Sequence, residues 1–352
     1  MIKTIEDRKQ KWMRFLNGGG DERTMYIIEA HGDGGAAPGP RPLPKPWLIK
    51  ERIDWAYENY NMQMEKAEWL ADDALPALSP YTGTEIFAEA FGCAVHYPDN
   101  DMPFALPKYA AAKDARSLKL PGVHDTPLTN IFEIARRLRQ KAGSGAVMQL
   151  PDIQSPADIA ALILNKEEFY VAMAEDPQLI LDMIGKAERL LCEFLDEWFS
   201  EFGRSYIAHY PPYYMEGGVT LSEDEVGAFG RPMFDAYVLD TLNGLSEKYG
   251  GIGIHCCAHS EHQWDNFKKV KGLKLLNLNN RIDFIKRYVN YFSGFTAMWP
   301  IDNLQPSDKD PAWLADCPPG ARVVLTYKSP SRSAAMETAK RAEELRRSRA
   351  AE

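Results

Sequence analysis

The sequence predicts an α/β protein: a (β/α)8 TIM barrel forming a single domain of 352 residues. Three observations carry this prediction. Eight short β-like apolar runs recur along the chain, separated by helical patterns or long loops, which is the alternation of a parallel sheet. No Gly-x-Gly-x-x-Gly follows the first run and no P-loop occurs anywhere, so the motifs of an open doubly wound sheet are missing. With 45% hydrophobic residues, a chain of this length buries enough surface to need no covalent staples.

In chain order, residues 4–16 read as an amphipathic helix within an N-terminal helical extension, 1–24. Met25-Tyr26-Ile27-Ile28-Glu29 is the first strand. The loop 31–49 is too rich in Gly and Pro for a helix or a central strand, and a loop this long inside a domain is as a rule functional or disordered. Residues 50–71 form a long helix and 73–79 the second strand. An insertion, 80–145, separates strands two and three; it holds a helix at 84–91, a hairpin within 93–106 and a basic helix near 128–141. Residues 146–150 make the third strand. Ser155 then caps a helix that has Pro156 at its first position. A long helix spans 177–200. The aromatic run 206–214 and the segment 218–221 together hold the fourth strand, and a helix near 230–249 follows. Strands five to eight are 251–255, 273–278, 294–300 and 322–327, and a helix closes the chain.

Composition removes several function classes. Lys and Arg number 41 against 50 Asp and Glu, a net charge of −9, which excludes a general binder of nucleic-acid backbones. No run approaches 18 apolar residues, so no membrane span is expected. The N-terminus turns polar at once, without the apolar core of a signal peptide, and a cytoplasmic location is expected. Five cysteines, an odd number, do not read as a disulfide framework.

In such a barrel the chemistry gathers at the C-terminal ends of the strands. The fifth strand end, Ile254-His255-Cys256-Cys257-Ala258-His259, is the most informative. Side chains at i and i+2 of a strand share a face, so His255 and Cys257 both enter the mouth while Cys256 points into the strand–helix layer. Their N and S donors suit Zn²⁺ with three protein ligands and one open position. Packing is the alternative, since cysteine is also a common small buried hydrophobe. Cys317, in the loop before the eighth strand, would complete the ligand set. After the fourth strand, Glu223 and Asp224 are candidate acid–base groups or ligands. Capping is the competing role, because Ser222 followed by acids makes a good helix start. Tyr81, Gln149 and Asn279 at other strand ends, with Tyr210 in an aromatic loop of Tyr206, His209, Tyr213 and Tyr214, are candidate substrate contacts.

These residues resemble a known family. The segment 150–202, in which Asp176-Pro177-Gln178-Leu179 opens a long helix, is similar to the uroporphyrinogen decarboxylase superfamily. So is the succession of Leu221-Ser222-Glu223-Asp224, Arg231-Pro232-Met233-Phe234 and Gly253-Ile254-His255-Cys256-Cys257. The resemblance implies a (β/α)8 barrel and one of two chemistries. The decarboxylases hold a porphyrinogen with arginines after the first strand and an aspartate after the second. Here those places read Glu29-Ala30-His31-Gly32-Asp33-Gly34 and Leu78-Ser79-Pro80-Tyr81. The corrinoid-linked methyltransferases bind zinc through His-x-Cys and a later cysteine after the last strand. His255-Cys256-Cys257 matches the first part, but Tyr327-Lys328-Ser329 stands at the second, leaving Cys317 as the nearby substitute.

The resemblance therefore implies a corrinoid (cobalamin)-dependent methyltransferase, zinc-assisted, with Asp224 and Glu223 as catalytic groups and His255, Cys257 and Cys317 as metal ligands. The corrinoid would arrive as a substrate or on a carrier protein. A small-molecule methyl donor or acceptor and a homodimer are also implied, without nucleic-acid or membrane partners. The alternatives are a carboxy-lyase acting on a different carboxylated substrate, and a non-catalytic binder of a tetrapyrrole or corrinoid protein.

Overall fold

The structure, a computed structural model, describes residues 4–19, 22–34, 38–278, 282–301, 305–306 and 309–351. Helix α1 (Ile5–Asn17) begins with a capping box in which Thr4 and Asp7 satisfy each other's backbone N–H, and it ends at Gly18 in left-handed conformation. Strand β1 (Thr24–Ala30) and the long loop lead to α2 (Ile49–Trp69). The insertion contains α3 (Ile86–Ala90), the antiparallel hairpin β2 (Ala94–His96) and β3 (Phe104–Leu106), then α4 (Ala112–Ala115) and α5 (Leu128–Ala142). Strand β4 (Met148–Gln149) precedes α6 (Pro156–Ile163), α7 (Lys166–Glu175) and α8 (Pro177–Phe202). Next come β5 (Ser205–Ile207), β6 (Tyr214–Glu216), β7 (Val219–Ser222), α9 (Arg231–Tyr237), α10 (Leu239–Tyr249), β8 (Ile252–Cys256) and α11 (Trp264–Phe267). The chain closes with β9 (Leu273–Leu278), α12 (Ile282–Phe292), β10 (Ala297–Met298), β11 (Gln305–Pro306), β12 (Val323–Ser329) and α13 (Arg332–Ala351).

The fold is a (β/α)8 barrel. Its parallel strands run in the order β1-β12-β10-β9-β8-β7, with β11 beside β12. Single links carry the ring onward from β7. Ser222 N–H donates to Ile153 O and Ser155 N–H to Ser222 O, each at 2.8 Å. Leu78 bridges Met148, and Asp73 N–H donates to Tyr26 O at 3.0 Å, which returns the ring to β1. Strand β4, which carries Met148, also pairs in parallel with β5, and β5 pairs antiparallel with β6. Among the described residues no helix is long and apolar enough to cross a membrane.

Several expected strands are shorter than their sequence patterns. The run 73–79 forms one bridge, at Leu78. Pro76 lacks a backbone donor, and aspartate side chains have taken over the strand's role toward β1. Tyr26 N–H donates to Asp73 Oδ2 at 2.9 Å and Ile28 N–H to Asp72 Oδ2 at 3.1 Å. The run 206–221 resolves into three strands rather than one, because Gly217 and Gly218 both take positive φ (67° and 77°) and turn the chain between β6 and β7. The helix expected at 230–249 breaks at Val238 into α9 and α10.

Asp72 and Asp73 are buried and draw cations from both chain ends. Lys11 of α1 reaches Asp73 at 2.7 Å, Arg346 of α13 reaches it at 3.4 Å, and Arg8 lies 3.5 Å from Asp72. Trp12 beside them is fully buried, donates to Asp73 O at 2.8 Å and stacks on Trp299. Removing the Asp73 carboxylate would leave Lys11 and the Tyr26 amide without their acceptor, while Arg346 would keep only Glu343. We therefore expect Asp73→Ala to lower stability by about 3–5 kcal/mol, read as a fall in the denaturant midpoint.

Candidate functional site

Parallel register assembles the site laterally. Ser222 of β7 pairs with His255 of β8, and His255 pairs with Asn277 of β9. The turn after β7 is fixed from two sides. Asp158, in the first turn of α6, accepts the N–H groups of Asp224 (2.8 Å) and Glu225 (2.9 Å), while Glu223 N–H donates to His255 O. Gly227 lets this turn lie against the one after β8: a Cβ there would stand 2.4 Å from that of Ala258. Asp224 Oδ1 accordingly accepts the Cys257 N–H at 2.5 Å.

One metal-ligating atom from each of Asp224, His255 and Cys257 lies within 4.8 Å of the others. His255 Nδ1 is 2.6 Å from Asn277 Oδ1. Asn277 donates its Nδ2 hydrogen to Trp299 O at 2.5 Å, so its Oδ1 is an acceptor and His255 Nδ1 must carry the proton. The lone pair is then on Nε2, as a metal-ligating histidine with an orienting partner requires.

The three residues line a cavity of about 410 Å³ together with Tyr81, Gln149, Asp152, His209 and Tyr210. A second lobe of about 500 Å³ shares Arg41, Ser79, Gln149, His209 and Tyr210, and continues to Glu29, Trp55 and Lys66. Tyr210 meets the His255 ring edge-on at 4.8 Å. Gln149 holds the aromatic loop by donating to Ala208 O and His209 O. His209 Nε2 lies 3.0 Å from Ser222 Oγ and 3.4 Å from Asp152 Oδ1; its buried Nδ1 has no hydrogen-bond partner among the described residues, and burial lowers its pKa. Tyr81 has a φ of 27°, a conformation that costs a side-chain-bearing residue about 1–3 kcal/mol. Arg52 holds it there by donating to Pro80 O and Tyr81 O.

Burial and the adjacent Asp224 push the Cys257 thiol up to about 12, so the thiolate needs a cation. Burial raises the Asp158 and Glu223 carboxyls too; the Asp224 charge raises Asp158 further, and the Asp158 charge raises Glu223.

The cavity thus unites six expected residues: Asp224, His255, Cys257, Tyr81, Gln149 and Tyr210. Glu223 is not among its lining residues. It is fully buried beside Asp158, because neighbours on a strand end face opposite ways. Cys317 is also elsewhere. It accepts a hydrogen bond from Arg349, which in turn donates to Thr24 at the start of β1, placing it at the opposite end of the barrel from the strand ends that build the cavity. Asn279 lies outside the described residues. Arg41 carries no signal in the sequence beyond its place in the loop. Asp158 reads there only as an acid in a helix's first turn, and Asn277 only as a polar strand end.

Comparison with known proteins gives a family and a fold. The sequence profile of the Uroporphyrinogen decarboxylase (URO-D) family matches residues 77–294. The fold is similar to that of a methyltransferase from Methanosarcina mazei, with a TM-score of 0.66 and 13% identity over 96% of this chain and 98% of that one. No curated protein matches the sequence.

The acid pair sets a pH dependence. In the unfolded chain both carboxyls ionise near pH 4, whereas in the fold they hold their protons to higher pH. The unfolded state is therefore favoured increasingly as pH rises above the ordinary carboxylate range. Thermal melts should show stability falling between pH 5 and about pH 8, and Glu223→Gln should flatten that fall.

Proposed function

The chain belongs to the uroporphyrinogen decarboxylase family, and within it we propose a methyltransferase that works with a corrinoid, supplied free or on a carrier protein, and with a zinc ion. One observation carries the reading: Asp224, His255 and Cys257 converge within 4.8 Å at the wall of a cavity large enough for a small organic molecule. The N, S and O donors are those of a three-ligand catalytic zinc site, with Asp224 in the role first given to Cys317. The structural neighbour named as a methyltransferase points the same way.

A bound zinc ion supplies positive charge that lowers the pKa of a coordinated thiol. The chain's own groups prepare for this. Asn277 keeps the His255 proton on Nδ1 and so presents Nε2. Asp158 fixes the backbone from which Asp224 projects. Tyr81 and Tyr210 offer aromatic walls for a flat substrate, an aryl methyl ether being one that fits. Arg41 at the same cavity is the observation that favours a second reading, a carboxy-lyase on a small carboxylated substrate.

Purified protein should contain about one zinc per chain by elemental analysis, the stoichiometry of a single catalytic site. The His255→Ala/Cys257→Ala double variant should lose it, Asp224→Ala should weaken it, and Cys317→Ser should keep it. Asn277→Leu should cost about 10–100-fold in zinc affinity. Turnover of methylcobalamin that disappears with the double variant supports methyl transfer. Protein without zinc that instead releases CO₂ from a carboxylated substrate would sink it.

Zinc binding must displace the Cys257 proton, held up to about 12 in the metal-free site. Apparent affinity should therefore rise with pH, about tenfold per unit for one proton released. Competition with a chelator between about pH 6.5 and 8.5 measures that slope, and Cys257→Ser should reduce it.

A further inference from the structure

We propose that Arg52 is a latch with two holding positions: the carbonyls of Pro80 and Tyr81, which it grips in the form described above, and the carboxylate of Glu85, which it grips in a second form with a relaxed cavity wall. The proton on Glu85 chooses between them. The proposal concerns the wall alone and needs neither the zinc ion nor methyl transfer.

The first position is under strain. Tyr81, with a φ of 27°, is the one residue other than glycine with a positive φ among the described residues. Arg52 keeps it so with a single nitrogen, Nη2, which donates to Pro80 O at 3.0 Å and to Tyr81 O at 2.7 Å. The wall follows Tyr81. Its ring carries the Arg41 guanidinium at 3.4 Å, and its hydroxyl donates to Met102 Sδ at 2.9 Å.

The second position is built and unused. Glu85, at the start of α3, is 4% exposed. Gly83 makes room for its carboxyl, since a Cβ there would stand 2.2 Å from Oε2. Glu85 Oε2 and Arg52 Nε are both buried without a hydrogen-bond partner among the described residues. Their side chains line one small cavity, which shares Thr82 with the larger one. Its volume of about 60 Å³ is that of about four waters, enough for a guanidinium to swing across. Two buried groups left unpaired lose hydrogen-bond free energy that their meeting would recover.

Charge decides when they meet. Burial holds the Glu85 carboxyl up to about 7, and the charges of Glu89 and Asp152 add to the shift. Arg52, lowered by burial to about 10, keeps its charge through that range. Tyr97, pushed by burial up to about 12, stays neutral. The Gly/Pro-rich loop and α5 present uncharged residues to this cavity, Pro44, Pro46 and Ile131 among them. Below about pH 7 a neutral Glu85 leaves Arg52 on the carbonyls. Above it an unpaired buried carboxylate is costly, and a carboxylate takes two parallel bonds from a guanidinium fork. Arg52 then leaves the carbonyls, Tyr81 relaxes and the wall loosens as pH rises.

Nuclear magnetic resonance of the full chain tests this. The Arg52 Nε–H signal is identified by its loss in Arg52→Lys, and a Tyr81 ring signal by its loss in Tyr81→Phe. Both should shift together as pH rises, with a midpoint near 7. Glu85→Gln should hold both at their low-pH positions. Tyr81→Gly, for which this φ is free of strain, should stabilise the first form and raise the Arg52 midpoint by about one unit, about a tenfold change in the balance. An Arg52 signal that does not titrate, or that titrates unchanged in Glu85→Gln, overturns the latch. Titration of Arg52 without Tyr81, or an unmoved midpoint in Tyr81→Gly, overturns its hold on the wall. Should Glu85→Gln fail to fold, the paired shifts and Tyr81→Gly still decide.

Discussion

Two buried carboxylates, Asp72 and Asp73, organise much of this barrel. They stand where a second strand would run, and their side chains accept N–H groups of β1 that a strand's carbonyls would otherwise take. A buried charge needs compensation. The cations that supply it come from α1 and α13, so the two ends of the chain are tied to the first strand at one point. The same arrangement shapes the mouth of the barrel. Arg8 and Lys66 both line the second lobe, and both are spent on this cluster and nearby carbonyls. Arg41 also lines both lobes, with its guanidinium over the Tyr81 ring.

The site follows a different constraint, which is register. Three neighbouring parallel strands place Ser222, His255 and Asn277 side by side. That alignment gives His255 an orienting partner on one flank and the acidic turn on the other. Asp158 then acts through backbone: by accepting two amides after β7 it sets where Asp224 begins, and Asp224 in turn accepts the Cys257 amide. The donor atoms of Asp224, His255 and Cys257 are brought together by hydrogen bonds that involve no metal, the preorganisation that the proposed zinc site would need.

The sequence was informative wherever local rules act alone. The capping box of α1, the long α8, the parallel strands β8, β9 and β12, and the His255–Cys257 alternation are all consequences of period, cap and turn chemistry. Substitution between distant segments was not legible. Nothing local shows that Asp73 replaces a strand, and nothing near Cys317 shows that its partner is Arg349, on the last helix.

What the sequence determined by itself was the barrel, the family resemblance and the face on which His255 and Cys257 stand, because alternation along a strand needs no knowledge of neighbours. Tertiary structure decided the rest. It chose Asp224 over Glu223, since only one of two adjacent residues at a strand end can face the cavity. It put Cys317 at the far end of the barrel and Arg41 over Tyr81. Those outcomes depend on where the ends of separate strands and a loop of 19 residues, 31–49, meet in space, and spacing along the chain does not encode that distance.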